Sequence, residues 1–306
     1  MSLIEQAAKR LDQLRSAGIT PPAGPAASPA PAGAGPAPES AAPSAERVAP
    51  GPAVTSARVE LDLHRLADEG LVTPNEPRSM LAEQFRIIKR PLLANVAKAG
   101  EAGIARANLI GVTSALPGEG KSFTSLNLAM SIAMELDRSV LLVDADVVRP
   151  SLPRMLGLPP GPGLLDLLGS PPAQFSRALL RTNVDKLAFL PAGTLHPKAA
   201  EMLASDAMSA LLEEIAARYA DRVVIFDSPP LLVTTESRVL ASRLGQVVFV
   251  VRAGRTLQSQ VTHALATIES CPIKLLLLNG TEGTSEGGYG YGGYDYGYGY
   301  GQGAAE

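Results

Sequence analysis

Short apolar runs alternate with longer stretches of helical periodicity between residues 108 and 279. The short runs are rich in Val, Ile and Leu and predict six buried strands, at residues 109–113, 140–143, 187–190, 223–226, 247–251 and 275–278. Apolar residues three and four positions apart predict helices between them, for example at residues 122–136, 208–219 and 257–270. Strands that alternate with helices form crossover units, so we expect an α/β fold whose mainly parallel sheet carries helices on both faces.

Two further segments with helical periodicity precede the first of these strands. Residues 78–97 predict an amphipathic helix that contains Glu83, Arg86 and Lys89. Residues 1–18 predict another, in which Ile4 and Leu11 lie on the apolar side. The N-terminal helix could dock on the protein's own core, or on a partner or membrane surface, and its sequence favours neither.

The segment that follows the N-terminal helix is almost entirely Pro, Ala, Gly and Ser. Residues 19–57 lack the apolar side chains whose burial would offset the entropy of ordering them. We therefore expect a disordered linker, followed by one folded domain at residues 58–280.

Composition narrows the class of protein. Hydrophobic residues make up 46% of the 306-residue chain but aromatic residues only 4%, so an aliphatic core is expected, which suits a buried parallel sheet. The net charge of -3, without a block of Lys and Arg, argues against a nucleic-acid partner. The single cysteine, Cys271, fits a reducing compartment, and no apolar run approaches the ~18 residues that span a bilayer. We expect a cytoplasmic protein without a transmembrane segment of its own.

The loop after the first long strand has the features of a phosphate-binding loop. The sequence Ser-Ala-Leu-Pro-Gly-Glu-Gly-Lys-Ser occupies residues 114–122, between a strand and a helix N-terminus. Glycines let backbone N–H groups approach phosphate oxygens, Lys121 supplies a positive charge, and the Ser122 hydroxyl can bind Mg²⁺. Ala115 stands where the formal pattern has glycine. The expected nucleotide contacts are Pro117, Gly118, Glu119, Gly120, Lys121, Ser122 and Phe123.

Carboxylates follow two other predicted strands. Asp144 and Asp146 come directly after residues 140–143, and Asp227 follows residues 223–226 ahead of two prolines. Because the carboxyl ends of parallel strands meet at one edge of a sheet, these side chains should lie beside the phosphate-binding loop. The sequence therefore predicts a site that holds Mg²⁺ and handles a proton, although a single aspartate there could merely cap a helix.

These three elements resemble the Walker A, Walker A′ and Walker B motifs of the bacterial tyrosine kinases, a branch of the MinD/ParA-like P-loop ATPases. The resemblance covers roughly residues 58–300 and implies a P-loop NTPase fold that uses ATP and Mg²⁺. Partitioning ATPases carry a second lysine where this chain has Leu116, which favours the kinases. The usual Walker A′ motif has arginine where this chain has Val148. The resemblance implies catalysis by Lys121, Asp144 and Asp146, metal binding by Ser122, Asp144 and Asp227, and adenine contact by Asn279.

The resemblance also implies self-assembly. Glu83-x-x-Arg86-x-x-Lys89 is similar to the Glu-x-x-Arg-x-x-Arg segment through which these kinases form rings, although lysine cannot replace the bidentate pairing of the last arginine. The chain looks most like stand-alone autokinases associated with exosortase and exopolysaccharide systems. We therefore expect a homo-oligomeric ring that is recruited to the inner face of the membrane by a chain-length-determinant or activator protein.

The C-terminal segment at residues 281–306 is expected to be a disordered tail of Gly and Tyr. Six of the seven tyrosines lie in it: Tyr289, Tyr291, Tyr294, Tyr296, Tyr298 and Tyr300. It could be an aromatic low-complexity segment, but beside a kinase-like core it predicts phosphoacceptors. The last strand should be parallel to the first, so the tail should leave from the ligand edge of the sheet. Its length allows phosphorylation in cis or in trans, and the resemblance implies trans.

Two other functions are compatible with these motifs. The chain could be a MinD/ParA-like positioning ATPase that hydrolyses ATP without phosphorylating a protein. It could also be a regulator without catalysis that binds ATP as part of a polysaccharide export complex.

Overall fold

The computed structural model describes residues 56–98, 104–168, 175–219 and 221–281. The expected N-terminal helix lies outside the described residues, as do the expected linker up to residue 55 and the tail from residue 282 onward, with all six of its tyrosines. In the part of the chain that is described, no helix is both long enough and apolar enough to cross a bilayer.

The described residues build a single eight-stranded sheet. Its strands, in chain order, are β1 (Ala57–Arg58), β2 (Leu109–Ser114), β3 (Ser139–Asp144), β4 (Leu180–Arg181), β5 (Leu187–Leu190), β6 (Arg222–Asp227), β7 (Gln246–Arg252) and β8 (Ile273–Asn279). Across the sheet their order is β1-β4-β5-β3-β6-β2-β7-β8. Every neighbouring pair is parallel except β4 and β5. The expected mainly parallel sheet is confirmed, and β1 and β4 add two short strands that the apolar runs did not predict.

Helices connect these strands. Within the described residues they are α1 (Leu63–Asp68), α2 (Met80–Ala97), α3 (Lys121–Ala133), α4 (Leu152–Leu156), α5 (Leu164–Leu167), α6 (Phe175–Ala178), α7 (Ala199–Ala204), α8 (Asp206–Arg218), α9 (Thr235–Arg243) and α10 (Gln258–Ala266). The four longer helices expected from periodicity, α2, α3, α8 and α10, all form. The first and last residues of these helices differ from the predicted ones by four residues at most.

Both faces of the sheet are buried, which explains why the central strands are apolar at consecutive positions. Val140 and Leu142 of β3 belong to the hydrophobic cluster that includes α2 and α3. Leu141 and Val143 point the other way and belong to the cluster that includes α8. Side chains alternate between the two faces of a strand. In a strand that is covered on both faces, every side chain is therefore buried and apolar residues are favoured at each position. The expected placement of helices on both faces is confirmed.

Helix α2 carries the three charged residues that are predicted to take part in self-assembly. Glu83 is exposed and Arg86 is half-buried, and the two side chains pair with each other at 2.6 Å. Lys89, in contrast, is only 4% exposed, and its ammonium lies 2.6 Å from the Ser131 carbonyl and 2.6 Å from a Glu135 carboxylate oxygen. The charge of Lys89 is therefore bound within its own chain, and the role of Glu83, Arg86 and Lys89 in self-assembly stays a prediction.

Candidate active site

The parallel arrangement brings the carboxyl ends of β2, β3, β6, β7 and β8 to one edge of the sheet, which we call the carboxyl edge. The loop between β2 and α3 lies at this edge. Gly118 and Gly120 have φ angles of +80° and +99°, in the left-handed region that side chains disfavour. At Gly120 a Cβ atom would also lie 2.0 Å from the Asn279 amide nitrogen. The loop therefore requires glycine at residue 120 for both its backbone angle and its close contact with the end of β8.

Glu119 holds the loop in shape rather than facing solvent. Its side chain is buried, and one carboxylate oxygen accepts the Leu116 N–H at 2.7 Å. The other carboxylate oxygen accepts a hydrogen bond from the Thr256 hydroxyl. The main-chain carbonyl of Glu119 accepts one from the Asn279 side-chain amide at 3.0 Å. The loop conformation is thus tied to the segment that follows β7 and to the last residue of β8. Any contact of Glu119 with a nucleotide would come from its main chain.

Lys121 begins α3 and extends toward the carboxylates. Its ammonium is 3.8 Å from Asp146, and both side chains are about nine-tenths buried, with 9% and 10% exposed. Burial raises the pKa of the Asp146 carboxyl, while the Lys121 charge opposes that rise. An ammonium that has one distant carboxylate partner is available to a phosphate that enters the loop.

Asp144 and Asp227 end adjacent strands and are register partners across β3 and β6. Both are completely buried. Burial raises the pKa of Asp144 well above its usual value, and the charges of Asp227 and Asp146 raise it further. The backbone N–H groups of Asp146 and Leu152 donate to its two oxygens at 3.2 Å and 3.3 Å and partly offset this effect. Two fully buried carboxylates, Asp144 and Asp227, therefore lie near a third, Asp146, that is mostly buried.

Asp227 has one oxygen satisfied and one that is not. Ser125 donates to Oδ1 at 3.1 Å, whereas Oδ2 is buried without a well-oriented hydrogen-bond donor among the described residues. Burial raises the pKa of Asp227 to about 6, although the nearby Ser122 hydroxyl and Lys121 charge lower it. A buried carboxylate with a free oxygen is costly unless a cation or donor arrives.

The oxygens around Asp227 fit a magnesium ion. The Ser122 hydroxyl accepts a hydrogen bond from Ser151 at 2.8 Å and keeps a second lone pair for a metal. Carboxylate and hydroxyl oxygens are hard ligands of the kind Mg²⁺ prefers, and Mg²⁺ commonly relies on one or two carboxylates with phosphate and water. No set of three or more His, Cys, Asp or Glu side chains in the described ranges is arranged to hold a metal by itself.

Two predicted nucleotide contacts are only partly placed at the site. Phe123 turns away from the loop and packs edge-on against Phe85 of α2, with ring centroids 6.3 Å apart. The prediction for Phe123 can therefore extend only to its backbone N–H. Pro117 is exposed on the loop and has no N–H to donate.

Asn279 joins the site from the far side of the loop. It is the last residue of β8, and its side-chain amide donates to the Glu119 carbonyl at 3.0 Å. Its own carbonyl accepts the Ala253 N–H at 2.9 Å. The expectation that the last strand is parallel and ends at the carboxyl edge is confirmed, and its last residue contacts the phosphate-binding loop.

Several residues of the site were not predicted. Ser125 lies one helical turn after Lys121, so the i, i+4 spacing could have indicated it. Ser151, Thr256 and Glu236 belong to no motif, and Glu236 raises the pKa of Asp146 only because the fold brings it near. No sequence signal identifies them.

Comparisons with known proteins agree with this geometry. A family model described as "ParA: NUBPL iron-transfer P-loop NTPase" matches residues 105–240. The tyrosine-protein kinase YwqD of Bacillus subtilis (strain 168) is 32% identical over 223 residues, which are 72% of this chain and 90% of YwqD. The succinoglycan biosynthesis transport protein ExoP of Rhizobium meliloti (strain 1021) is 34% identical, over 71% of this chain but only 27% of ExoP. Among solved structures, the BceF tyrosine kinase domain has a TM-score of 0.57 and 27% identity, covering 75% of this chain and 93% of that one.

Proposed function

The chain belongs to the bacterial tyrosine-protein kinase family, and on that premise we propose that it transfers the γ-phosphoryl group of ATP to tyrosine, including the six tyrosines of its own tail. One observation carries the proposal for the tail. Strand β8 ends at Asn279, in contact with the phosphate-binding loop, and the tyrosine-rich segment follows within a few residues in the sequence, which supports the proposal. From residue 281 to Tyr289 an extended chain covers roughly 25 Å, which is enough to reach its own site or a neighbour's.

Lys121 and the loop N–H groups hold the β- and γ-phosphates in this proposal. Ser122, Asp227 and Asp144 would hold Mg²⁺, which supplies charge neutralisation at the phosphate oxygens. The free Oδ2 of Asp227 and the lone pair of Ser122 supply ligands for it. Binding at this point would also relieve the repulsion among the three buried carboxylates.

The chemical step is an in-line transfer. The tyrosine oxygen forms a bond to the γ-phosphorus while the bond to the β–γ bridging oxygen breaks, and ADP leaves with that electron pair. The tyrosine proton passes to the Asp144–Asp146 pair. Burial keeps the pKa of both carboxyls above the usual range, which brings them closer to a proton-accepting role near neutral pH.

Assembly and cellular role form the outer part of the proposal. Glu83 is exposed and Arg86 half-buried on α2, and both would contribute to a ring in which each tail enters a neighbour's site. ExoP is named as a succinoglycan biosynthesis transport protein, which supports a role in exopolysaccharide production. We propose that a membrane chain-length-determinant or activator protein brings residues 58–280, as the kinase domain, to the inner face of the membrane.

Mass spectrometry of the tail tests the central proposal. Purified wild type incubated with Mg-ATP should carry phosphate on the tail tyrosines, and Lys121→Met should carry none. Lys198→Met, at an exposed lysine before α7, is the matched control and should label as wild type does. Persistent tail labelling in Lys121→Met, or no tail labelling in wild type, would remove the autokinase assignment.

A second candidate is an ATPase that positions other molecules without phosphorylating them. The match to a ParA family model favours it. Phosphate release from ATP without any phosphotyrosine would identify this function. A regulator without catalysis would bind ATP and show neither activity.

A further inference from the structure

A second cavity lies at the opposite edge of the sheet from Lys121. Its volume is about 640 Å³, and it is lined by the first residues of β3, β5 and β6, which are Ser139, Leu187 and Arg222. Since β3 runs from Ser139 to Asp144, the cavity lies roughly 17 Å from the carboxylates of the active site. We call it the basic cavity, and the kinase mechanism proposed above does not use it.

The charge of the basic cavity is strongly unbalanced. Arg58, Arg181, Lys186 and Arg222 line it, against a single acid, Asp185. Lys186 is engaged, because its ammonium donates to the carbonyls of Glu135 and Leu136 at 2.8 Å and 2.9 Å. The three arginines remain, and none of them forms an ion pair with another described residue.

Two of the arginines are placed side by side by the sheet itself. Arg58 on β1 and Arg181 on β4 are register partners in a parallel pair, so their side chains leave the sheet on the same side. Neighbouring strands are only about 4.8 Å apart, and like charges at that spacing repel. An anion between the two guanidinium groups would remove this repulsion.

The third arginine has an unused donor. The Arg222 guanidinium lies over the Tyr219 ring at 4.7 Å, which fixes its position. Its Nε is buried without a hydrogen-bond partner among the described residues. Leaving a buried donor unpaired destabilises the fold, and an acceptor oxygen inside the cavity would remove that cost.

We propose that the basic cavity binds phosphate monoesters and that its ligand is phosphotyrosine from the tail of this chain or of a second copy. Guanidinium groups pair with phosphate oxygens in a fixed two-point geometry, and clustered arginines are the usual means of binding phosphorylated side chains. Each phosphorylated tyrosine adds about -1.5 to -2 charges, comparable with the excess of the cavity. The choice of phosphotyrosine as the source rests on the proposed kinase function, whereas the preference for phosphate rests on the arginines alone.

Peptide binding tests the proposal without depending on kinase activity. Synthetic peptides with the sequence of residues 287–300, with and without phosphotyrosine, are titrated into full-length Lys121→Met protein, whose own tail should be unphosphorylated. Fluorescence anisotropy should show binding of the phosphorylated peptide at least about ten-fold tighter than that of the other, weakening as salt is raised. Chemical synthesis supplies the phosphate, so a chain that is no kinase could still pass this test.

The phosphate-binding loop could also bind the phosphopeptide. Matched variants therefore test whether the peptide binds in the basic cavity. Arg181 and Arg58 are exposed, so replacing either should leave the fold intact. Arg181→Gln should weaken binding about ten-fold, as should Arg58→Gln. Arg177→Gln removes an equal charge from an exposed residue on α6 outside the cavity and should leave Kd unchanged. Equal affinity of Arg181→Gln, Arg177→Gln and the parent would overturn the proposal, as would equal affinity for the two peptides.

Inorganic phosphate distinguishes the sources of the ligand. If millimolar phosphate fails to displace the phosphopeptide, the tail is supported as the source. If it displaces the peptide fully, the cavity is a site for free phosphate compounds and the phosphotyrosine assignment is wrong.

Discussion

Replacing Asp227 with asparagine should stabilise the folded chain while removing its kinase activity. The pKa of Asp227 rises from 3.8 to about 6 in the folded chain, mainly because the carboxyl is completely buried. The folded state therefore holds this proton more tightly than the unfolded state does, and stability falls as pH rises between these values. Above pH ~6.5 the cost is complete and amounts to about 3 kcal/mol.

Asparagine at residue 227 cannot ionise, so this cost disappears. Its carbonyl oxygen can still accept the Ser125 hydroxyl, but its amide must find an acceptor in a buried site, which offsets about 1–2 kcal/mol. We expect a net gain of about 1–2 kcal/mol at pH ~8 without nucleotide or Mg²⁺. Lowering the pH to ~4.5 should reduce the advantage of the variant by about 2 kcal/mol, because wild-type Asp227 is then mostly protonated.

Urea unfolding at both pH values, in the presence of a chelator, measures this effect. Asp137→Asn, at an exposed carboxylate after α3, is the control and should differ little from wild type at either pH. The charge of Asp227 also raises the pKa of Asp144, so the variant should lower that pKa and gain further stability at high pH. Titrating groups that do not interact with Asp227 are common to both chains, and their contributions cancel in the difference. An advantage of Asp227→Asn that is absent at pH ~8, or that does not change with pH, would refute the reasoning from burial.

Three further variants test other parts of the structure. Gly120→Ala should weaken ATP binding at least about ten-fold, because the new Cβ would overlap the Asn279 amide. Equilibrium dialysis measures the affinity, and a value like that of wild type would contradict the contact. Tail phosphorylation should slow as pH falls below neutral, because protonation of the Asp144–Asp146 pair removes the proton acceptor; Asp146→Asn should be slow at every pH, and an unchanged pH profile would argue against this role. Lys89→Met should change stability by about 1 kcal/mol or less and leave the oligomer size by light scattering unaltered, since the ammonium binds within its own chain; a smaller oligomer would place Lys89 at an interface.

The sheet, and the gathering of the motif residues at its carboxyl edge, could be predicted from the sequence because each depends on a local pattern. Strands such as β3 are buried on both faces and are apolar at consecutive residues, which makes them visible. The two-residue strands β1 and β4 are not apolar runs, and they form only because the fold brings Ala57 and Leu180 together. The burial of Lys89 could not be predicted for a related reason, since the spacing of charges along a helix does not show that a long side chain can reach Glu135 from a buried position.

Within the site, motif residues were predictable because phosphate chemistry fixes their spacing. The supporting residues were not, since Thr256 lies 137 positions from its partner Glu119. The raised pKa values were also beyond the sequence, because they depend on how completely Asp144 and Asp227 are removed from water.

Asn279 couples nucleotide binding in the phosphate-binding loop to the position of the tail. The residue ends β8, where the tyrosine-rich segment begins, and its amide also holds the carbonyl of Glu119 in the phosphate-binding loop. Thermodynamic linkage requires any such coupling to be reciprocal. If capture of the tail elsewhere shifts Asn279 and loosens the loop, then ATP in the loop must oppose that capture by the same free energy. ATP binding then changes the position of the tail, and the position of the tail changes ATP affinity, without a separate sensor domain.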